Sequence, residues 1–503
     1  MLGIAILLCG CKGGDASSDI GVGSSDTNIC AAHTDFDSSG TCDDCGVSVV
    51  VPIDLYAIND LHGKFDDTDE QSGVDELTTY LKNAEATDEH AILLSSGDMW
   101  QGSAESNSTE GRIITDWMNE LDFDAMTLGN HEYDWGEDAV KLNDKAAEFP
   151  LLAINVYNRK TDKRVDYADA SVLIDEGEVQ IGIIGAIGDC YSSIAPDQVK
   201  DIYFKVGDEL TELVKAESDR LRKRGADIIV YSLHDGFGSS KRGVTSISSL
   251  QLESYYDIAL SNGYVDVVFE AHTHQQYVLT DRCGVYHIQG GGENDGIAHL
   301  ELEYNLANLD FAVSEAELVS AYSYSSLADD AIVDSLLNKY SKDISDTKRV
   351  VGRNEAERSS THLRQIVANL YYKKGVERWG NKYNITLGGG FVSVRSPYVL
   401  PVGEVTYAQL QSLFPFNNEL VLCSIRGSDL LSRFINTSNG NYFICLSIDE
   451  SSIVPDGTYY VVVDTYSSTY APNKLTEIER YGEELYARDL LAEYFANGGK
   501  SSK

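Results

Sequence analysis

Basic side chains are scarce: 39 lysines and arginines face 80 aspartates and glutamates in 503 residues, a formal charge of −41 and a pI near 4.4. Binding along a nucleic-acid backbone needs clustered Lys and Arg to displace counterions from phosphates. That class of partner is excluded, and any nucleotide must be held by a local pocket of metal ions and a few arginines. Long apolar runs are missing too. The opening stretch Met1–Cys11 is apolar but far shorter than the ~20 residues a membrane-spanning helix needs, and no other transmembrane helix is apparent. Nucleophile-type cysteines are also lacking. Cys190, Cys283, Cys423 and Cys445 are scattered, mostly in apolar contexts, and read as buried structural thiols.

The length exceeds what one hydrophobic core usually supports, so two large domains are expected, and a hydrophobic fraction of 43% is ordinary for globular protein. From Val50 to about Tyr322, apolar strand-like runs alternate with amphipathic helical patterns such as Ser72–Ala84 and Asp208–Arg224, and Ile181–Ala186 is a further buried-strand run. Five runs each end in metal-type ligands. Asp54–Asn59 leads into Asp60-Leu61-His62-Gly63, Ala91–Ser96 into Gly97-Asp98, and Phe123–Leu128 into Gly129-Asn130-His131-Glu132-Tyr133-Asp134. Asp227–Leu233 leads into His234-Asp235-Gly236, and Val265–Glu270 into Ala271-His272-Thr273-His274. Open α/β sheets place their sites at the carboxyl ends of strands. Carboxylate and amide oxygens mixed with imidazoles suit Mn, Zn or Fe ions. Five of the ten histidines fall inside these motifs, which makes coincidence improbable.

This order, D-x-H, G-D, G-N-H-E, H and then an H-x-H pair, resembles the calcineurin-like metallophosphoesterases, and Asn59–Gly63 with Gly129–Asp134 looks like their bacterial 5′-nucleotidase branch. The resemblance implies an N-terminal α/β sandwich with two divalent metal ions. Asp60, His62 and His274 would hold one ion, Asn130, His234 and His272 the other, and Asp98 would bridge them, activating a water for attack on phosphorus. His131 and Asp134 would form the catalytic dyad, the imidazole stabilising charge on the transferring phosphoryl oxygens or protonating the leaving alkoxide. Ala271 stands where the family usually has Gly, and Glu132 and Tyr133 are expected to shape the turn.

A second block carries the resemblance onward. Leu387-Gly388-Gly389-Gly390-Phe391-Val392-Ser393-Val394-Arg395 and Phe414-Pro415-Phe416-Asn417-Asn418-Glu419 look like signatures of the 5′-nucleotidase C-terminal domain, a second α/β unit. The glycines would let backbone approach a ligand, with Arg395 reaching phosphate or ribose. Phe416 would stack on a base, with Tyr466 or Tyr470 opposite, and Arg353 and Arg358 resemble in position further substrate-holding arginines. Between the halves, Leu327–Ile344 has helical apolar spacing and reads as a connecting helix.

Ahead of the catalytic half, Leu8-Cys9-Gly10-Cys11 resembles a bacterial lipoprotein processing site, with Cys11 the lipidated residue, and Lys12–Ile29 reads as a flexible Gly/Ser/Asp spacer. Cys30-Ala31-Ala32-His33 and Cys42-Asp43-Asp44-Cys45 pair ligands as small structural zinc sites do. Disulfides are a second reading of this module. A calcium loop beginning at Asp35 is a third, weakened because its twelfth position is Gly46 rather than Glu. The expected division is 1–11 signal, 12–29 linker, 30–49 Cys/His module, 50–325 catalytic domain, 326–349 connecting helix and 350–503 substrate-binding domain. The function expected is release of phosphate from nucleoside 5′-monophosphates by an extracytoplasmic, lipid-anchored enzyme. UDP-sugar hydrolysis and 2′,3′-cyclic-nucleotide phosphodiester hydrolysis are alternatives on the same fold. A non-catalytic surface nucleotide-binding protein is the alternative of another class.

Overall fold

The structure is a computed structural model describing residues 33–65, 73–88, 90–237, 260–392, 394, 399–436, 442–482 and 484–499. Cys11, Cys30 and Arg395 lie outside the described residues.

The first half is a two-sheet sandwich. Its strands are β1 (Val50–Ile58), β2 (Ala91–Ser95), β3 (Ala125–Thr127), β4 (Leu151–Leu152), β5 (Ser171–Glu176), β6 (Val179–Ile187), β7 (Ile228–His234), β8 (Val267–Glu270), β9 (Gln276–Thr280), β10 (Tyr286–Gly290), β11 (Gly296–Asn305) and β12 (Asp310–Ser320). One sheet runs β12-β11-β1-β2-β3-β4 and the other β9-β10-β8-β7-β6-β5. β1 to β4 are mutually parallel, as are β6, β7, β8 and β10, with antiparallel strands at the margins. Strand alternation explains the layers. Ile53, Leu55 and Ala57 of β1 meet Ile181, Ile183, Val230 and Phe269 of the facing sheet. Tyr56 and Ile58 point the other way, into a core shared with helices α1 (Asp75–Thr87) and α2 (Arg112–Asn119). On the outer face of the second sheet, Val214 and Leu221 of α3 (Asp208–Lys223) cover Ile184, Ile229 and Val268.

The connecting segment is not one helix. It forms α4 (Ala331–Lys339), breaks at Tyr340 and resumes briefly as α5 (Ser341–Ile344). Tertiary anchoring overrides the helical period: Tyr340 Oη donates to Asp116 Oδ2 (2.6 Å), Lys339 and Arg112 also grip that carboxylate, and Val333 and Leu336 bury in the catalytic-half core. The segment is thus packed against the first half rather than free between the halves.

The second half is built on a sheet of strands β13 (Ile385–Phe391), β14 (Leu420–Arg426), β15 (Tyr442–Leu446), β16 (Thr458–Asp464) and β17 (Thr476–Arg480), ordered β15-β13-β16-β14-β17. Helix α6 (Ser360–Trp379) packs Leu363, Val367 and Tyr371 on one face, together with α7 (Tyr407–Leu413) and α8 (Ala487–Ala496). The glycine run serves this packing. A Cβ on Gly388 would come 2.1 Å from the Tyr372 backbone nitrogen, and one on Gly389 would come 2.1 Å from the Phe443 carbonyl oxygen. Gly389 and Gly390 also sit at φ +115° and +138°. Within the chain these glycines approach helix, neighbouring strand and Ser467.

Across the catalytic sandwich, His287 of β10 is buried between Glu270 (Nδ1 to Oε1, 3.1 Å) and Asp281 (Nε2 to Oδ2, 3.5 Å). Burial opposes its charge, but the two carboxylates overcome that and raise it to about 9. A raised folded-state value stabilises the fold fully below pH ~6.5, and that contribution is lost as pH rises through about 9.

Two outcomes follow from this packing. Gly388→Ala is expected to cost about 1–3 kcal/mol by forcing α6 off its sheet, read as a lower urea midpoint; an unchanged midpoint would contradict the close approach. The stability gap between wild type and His287→Gln is expected to be widest near pH 6, on the order of 3 kcal/mol for the shift to about 9, and to close toward pH 10. Denaturant titration at several pH values checks it, and a gap independent of pH would contradict it.

Candidate metal centre and cleft

The ligand-type residues stand where parallel strands end and the chain turns. Asp60 (φ +50°), His62 (+52°), Asp98 (+55°), His272 (+66°) and His274 (+51°) all adopt left-handed backbone. Residues with a Cβ avoid that region, and such strain concentrates at functional sites. The turns press on each other: a Cβ at Gly97 would lie 2.6 Å from Gly129 N, and one at Gly129 would lie 2.3 Å from Asp98 Oδ1.

Backbone carbonyls set the histidine tautomers. His62 Nδ1 donates to Gln101 O (3.0 Å) and His234 Nδ1 to Ser96 O (2.8 Å), so Nε2 is the nitrogen each ring turns inward. His62 Nε2 faces His274 Nε2 at 3.0 Å, with Asp60 Oδ1 3.5 Å from the latter. His234 Nε2 faces Asn130 Oδ1 and Asp98 Oδ2, each at 3.2 Å. Asp60 Oδ1 is buried without a hydrogen-bond partner. Acceptors crowded on acceptors in a buried site call for a cation. Two clusters meet that description, Asp60 with His62 and His274, and Asp98 with His234 and His272, the ligand atoms within 4.8 Å of one another in each. The donors are nitrogen and oxygen only, which fits Mn, Zn or Fe.

Charge coupling gives the same picture. Burial works against a charged His234, yet Asp98 and then Asp60 raise it to about 10, a proton standing in for positive charge the site is shaped to hold. Burial alone would push Asp98 up, but His234 and His131 hold it well below the usual carboxylate range. His272, desolvated and beside His234, falls to about 4.

His131 Nδ1 lies 2.7 Å from Asp134 Oδ2, and its backbone N–H donates to Asp98 Oδ1 (2.7 Å), so the pair is tied to the metal-type cluster. Glu132 shapes the turn as expected and reaches further: its buried carboxylate accepts from Asp98 N (2.9 Å), Met99 N (2.8 Å), Trp100 N (3.3 Å) and Gly129 N (2.7 Å). It clasps the Asp98 turn to the Asn130 turn. Burial, then Asp98, push it up to about 7.

A cavity of about 190 Å³ opens beside the dyad. His131, Asp134, Trp135 and Gln198 line it from the first half, and Phe416, Asn418 and Tyr466 from the second. The Phe416 ring centroid is 5.9 Å from that of His131, and Tyr466 runs nearly parallel to Tyr470, at 18°. Neither remaining candidate arginine is among the lining residues. Arg353 is exposed beside Glu355, and Arg358 donates to Asn354 Oδ1 (2.9 Å) and lies over Tyr494, so both are engaged within the second half. Sequence reading also missed Arg488. Buried on α8, it donates to the carbonyls of Phe414 (3.3 Å), Pro415 (3.3 Å) and Phe416 (3.1 Å) and to Asn417 Oδ1, holding the loop that carries Phe416. Its only signal was a lone arginine in an apolar helix. At the cleft edge Arg480 bridges to Asp197 across the two halves (2.6 Å).

Residues 53–276 match the calcineurin-like phosphoesterase family, and residues 341–443 match the 5′-nucleotidase C-terminal domain. The chain is 28% identical over 476 residues to Protein UshA of Yersinia enterocolitica, covering 84% of this chain and 83% of that protein. It is 25% identical over 485 residues to Endonuclease YhcR of Bacillus subtilis, covering 86% of this chain but spanning only 38% of that longer relative. Its fold matches the crystal structure of a 5′-nucleotidase precursor from Thermus thermophilus, with a TM-score of 0.65 at 18% identity, covering 89% of this chain and 96% of that one.

Replacing Glu132 by Gln turns an amide N–H₂ toward backbone donors that need an acceptor. The variant is expected to bind catalytic divalent metal about 10- to 100-fold more weakly, read by metal titration of chelated enzyme. Affinity equal to wild type would mean that the clasp does not position the ligands.

Proposed function

We propose that this chain, a metal-dependent calcineurin-like phosphoester hydrolase with a 5′-nucleotidase C-terminal domain, releases phosphate from nucleoside 5′-monophosphates. The observation that carries this reading is that one cavity is bounded by His131 and Asp134 on one side and by the aromatic faces of Phe416 and Tyr466 on the other. Residues 50–325 would perform hydrolysis, residues 350–503 would read the nucleoside, and 326–349 would join them.

Asp60, His62 and His274 would hold one divalent ion (Zn, Mn or Fe), Asn130, His234 and His272 a second, with Asp98 shared. When bound, such ions polarise phosphoryl oxygens and make water a competent nucleophile near neutral pH. The protein does the rest. Asp134 accepts the Nδ1 proton of His131, which fixes the ring and leaves Nε2 as the atom offered to substrate. A protonated Nε2 donates to the phosphoryl or leaving oxygen, and Asp134 stabilises the imidazolium. Phe416, locked by Arg488, and Tyr466 give the base flat apolar faces. Arg395, in the same C-terminal unit, is the remaining cation proposed for phosphate or ribose. The apolar start ending in Cys11 supports export with a lipid anchor and scavenging outside the cytoplasm.

Phosphate release from AMP, UDP-glucose, 2′,3′-cyclic AMP and a phenyl phosphate ester, with Mn²⁺ or Zn²⁺ and after chelation, tests the reading. AMP is expected to be the best substrate, activity to vanish on chelation, and His131→Ala to lower kcat by roughly 10²- to 10⁴-fold. Tyr466→Ala or Phe416→Ala is expected to raise KM for AMP roughly tenfold or more while leaving the phenyl ester unchanged. Preference for UDP-glucose or the cyclic diester would keep the chemistry and replace the substrate. Absence of turnover under every metal condition would overturn catalysis in favour of nucleotide binding alone.

A further inference from the structure

A third cluster of ligand-type side chains among the described residues lies at the far end of the catalytic sandwich, away from the phosphoester site. His33, Cys42 and Cys45 converge there, their ligand atoms within 4.8 Å of one another, with His33 Nδ1 3.9 Å from Cys45 Sγ. In a tetrahedral zinc site with Zn–S near 2.3 Å and Zn–N near 2.0–2.1 Å, donor atoms stand roughly 3.5–3.8 Å apart. The observed spacing is close to that.

The local backbone is arranged around the sulfurs. Cys42-Asp43-Asp44-Cys45-Gly46 closes as a tight turn, with Gly46 N donating to Cys42 O (2.8 Å) and Gly46 at φ +75°. The N–H groups of Thr34, Asp44 and Cys45 are directed at the Cys42 sulfur, so the turn wraps its backbone around that atom. Among the described residues, Cys42 forms no disulfide. The calcium reading is not favoured by the same geometry. Asp35 spends its oxygens on the N–H groups of Ser39 (2.8 Å) and Gly40 (3.0 Å) and on Asn305 Nδ2 (3.2 Å), and Asp37 also accepts from Ser39 N (3.1 Å).

The segment has too little apolar matter to hold itself together. Between residues 33 and 49 the buried hydrophobic side chains are Cys42 and Val49, while Phe36 is 88% exposed. A unit this small needs a cross-link in place of a core. Its attachment is specific nonetheless: Val49 N donates to Gly40 O (3.0 Å), and Leu306 N, at the end of β11, donates to Val49 O (2.8 Å). The module therefore caps the start of β1. Asp60 and His62 follow the other end of that nine-residue strand, roughly 30 Å away at about 3.3 Å per residue.

We infer that His33, Cys42 and Cys45 hold a structural zinc ion that fastens the segment preceding β1 to the catalytic sandwich, separate from the catalytic metals. Soft thiolates distinguish it from the nitrogen and oxygen donors of the catalytic centre, so the two sites select metals differently.

Cobalt(II) tests this on the full chain, purified reduced and reloaded, because thiolate-bound cobalt has an intense charge-transfer band in the near ultraviolet that nitrogen and oxygen ligands do not produce. Wild type is expected to show the band and to lose it as one equivalent of zinc is added. Cys42→Ser/Cys45→Ser is expected to lack the band, to carry one zinc fewer per chain by elemental analysis, and to keep AMP or phenyl ester turnover. Should that variant fail to fold, alkylation of wild type followed by peptide mass analysis serves in its place, with Cys42 and Cys45 expected to be protected until metal is chelated. Absence of the band, or a Cys42–Cys45 disulfide in the native chain, would overturn the inference. Neither result depends on which phosphoester is hydrolysed.

Discussion

The site depends on holding two turns against each other, one of them, at Asp98, in a left-handed backbone conformation it would not choose alone. Asp98 and Asn130 follow different strands, and both turns are gathered onto the Glu132 carboxylate, which satisfies four N–H groups at once. Because those N–H groups are buried, the arrangement cannot relax toward water without exposing donors at the centre of the protein. Left-handed geometry at five ligand-type residues is tolerated for the same reason: the surrounding hydrogen bonds over-determine it. The sandwich supplies the rigid strand ends, and Glu132 sets the distance between them.

Electrostatics within this frame are cooperative. Carboxylates and imidazoles that would each be unfavourable in isolation are stabilised by their neighbours, and carbonyl oxygens on the outer side of His62 and His234 decide which ring nitrogen faces inward. The same logic recurs at the cleft edge. Arg488 has no contact with the dyad, yet it gathers three carbonyls and an amide oxygen of one loop and so fixes where the Phe416 ring can stand. A buried guanidinium, with five donors in a planar fork, suits a loop that turns several carbonyls toward one point.

Much of the centre was legible because its signal is local. A strand-like run followed at once by D-x-H, G-D or H-x-H can be recognised from a few adjacent residues, and β1, β2, β3, β7 and β8 end at or within three residues of those motifs. What could not be read depends on contacts distant in sequence. The break at Tyr340 comes from Asp116, more than two hundred residues earlier, and helical periodicity carries no trace of it. In the glycine run, close backbone approach leaves the same residue type whether the approaching group is a substrate or helix α6, so the packing against α6 was not legible. Arg353 and Arg358 were placed by position alone, and a linear pattern does not show their contacts with Glu355, Asn354 and Tyr494. Glu132 was visible within its motif, but nothing in a linear pattern says that its oxygens reach back to the turn after β2.

The cap at the start of β1 also bears on mechanical load. β1 pairs antiparallel with β11 along eight residues and parallel with β2 along five. Inter-strand hydrogen bonds in an antiparallel pair lie across the strand direction. A pull on the chain ahead of the cap, directed along β1, therefore strains many bonds together in shear rather than opening them one after another. If the protein is tethered through its N-terminal segment, tension enters through the strand best placed to resist it, and the force is spread over the sheet before it reaches Asp60 and His62.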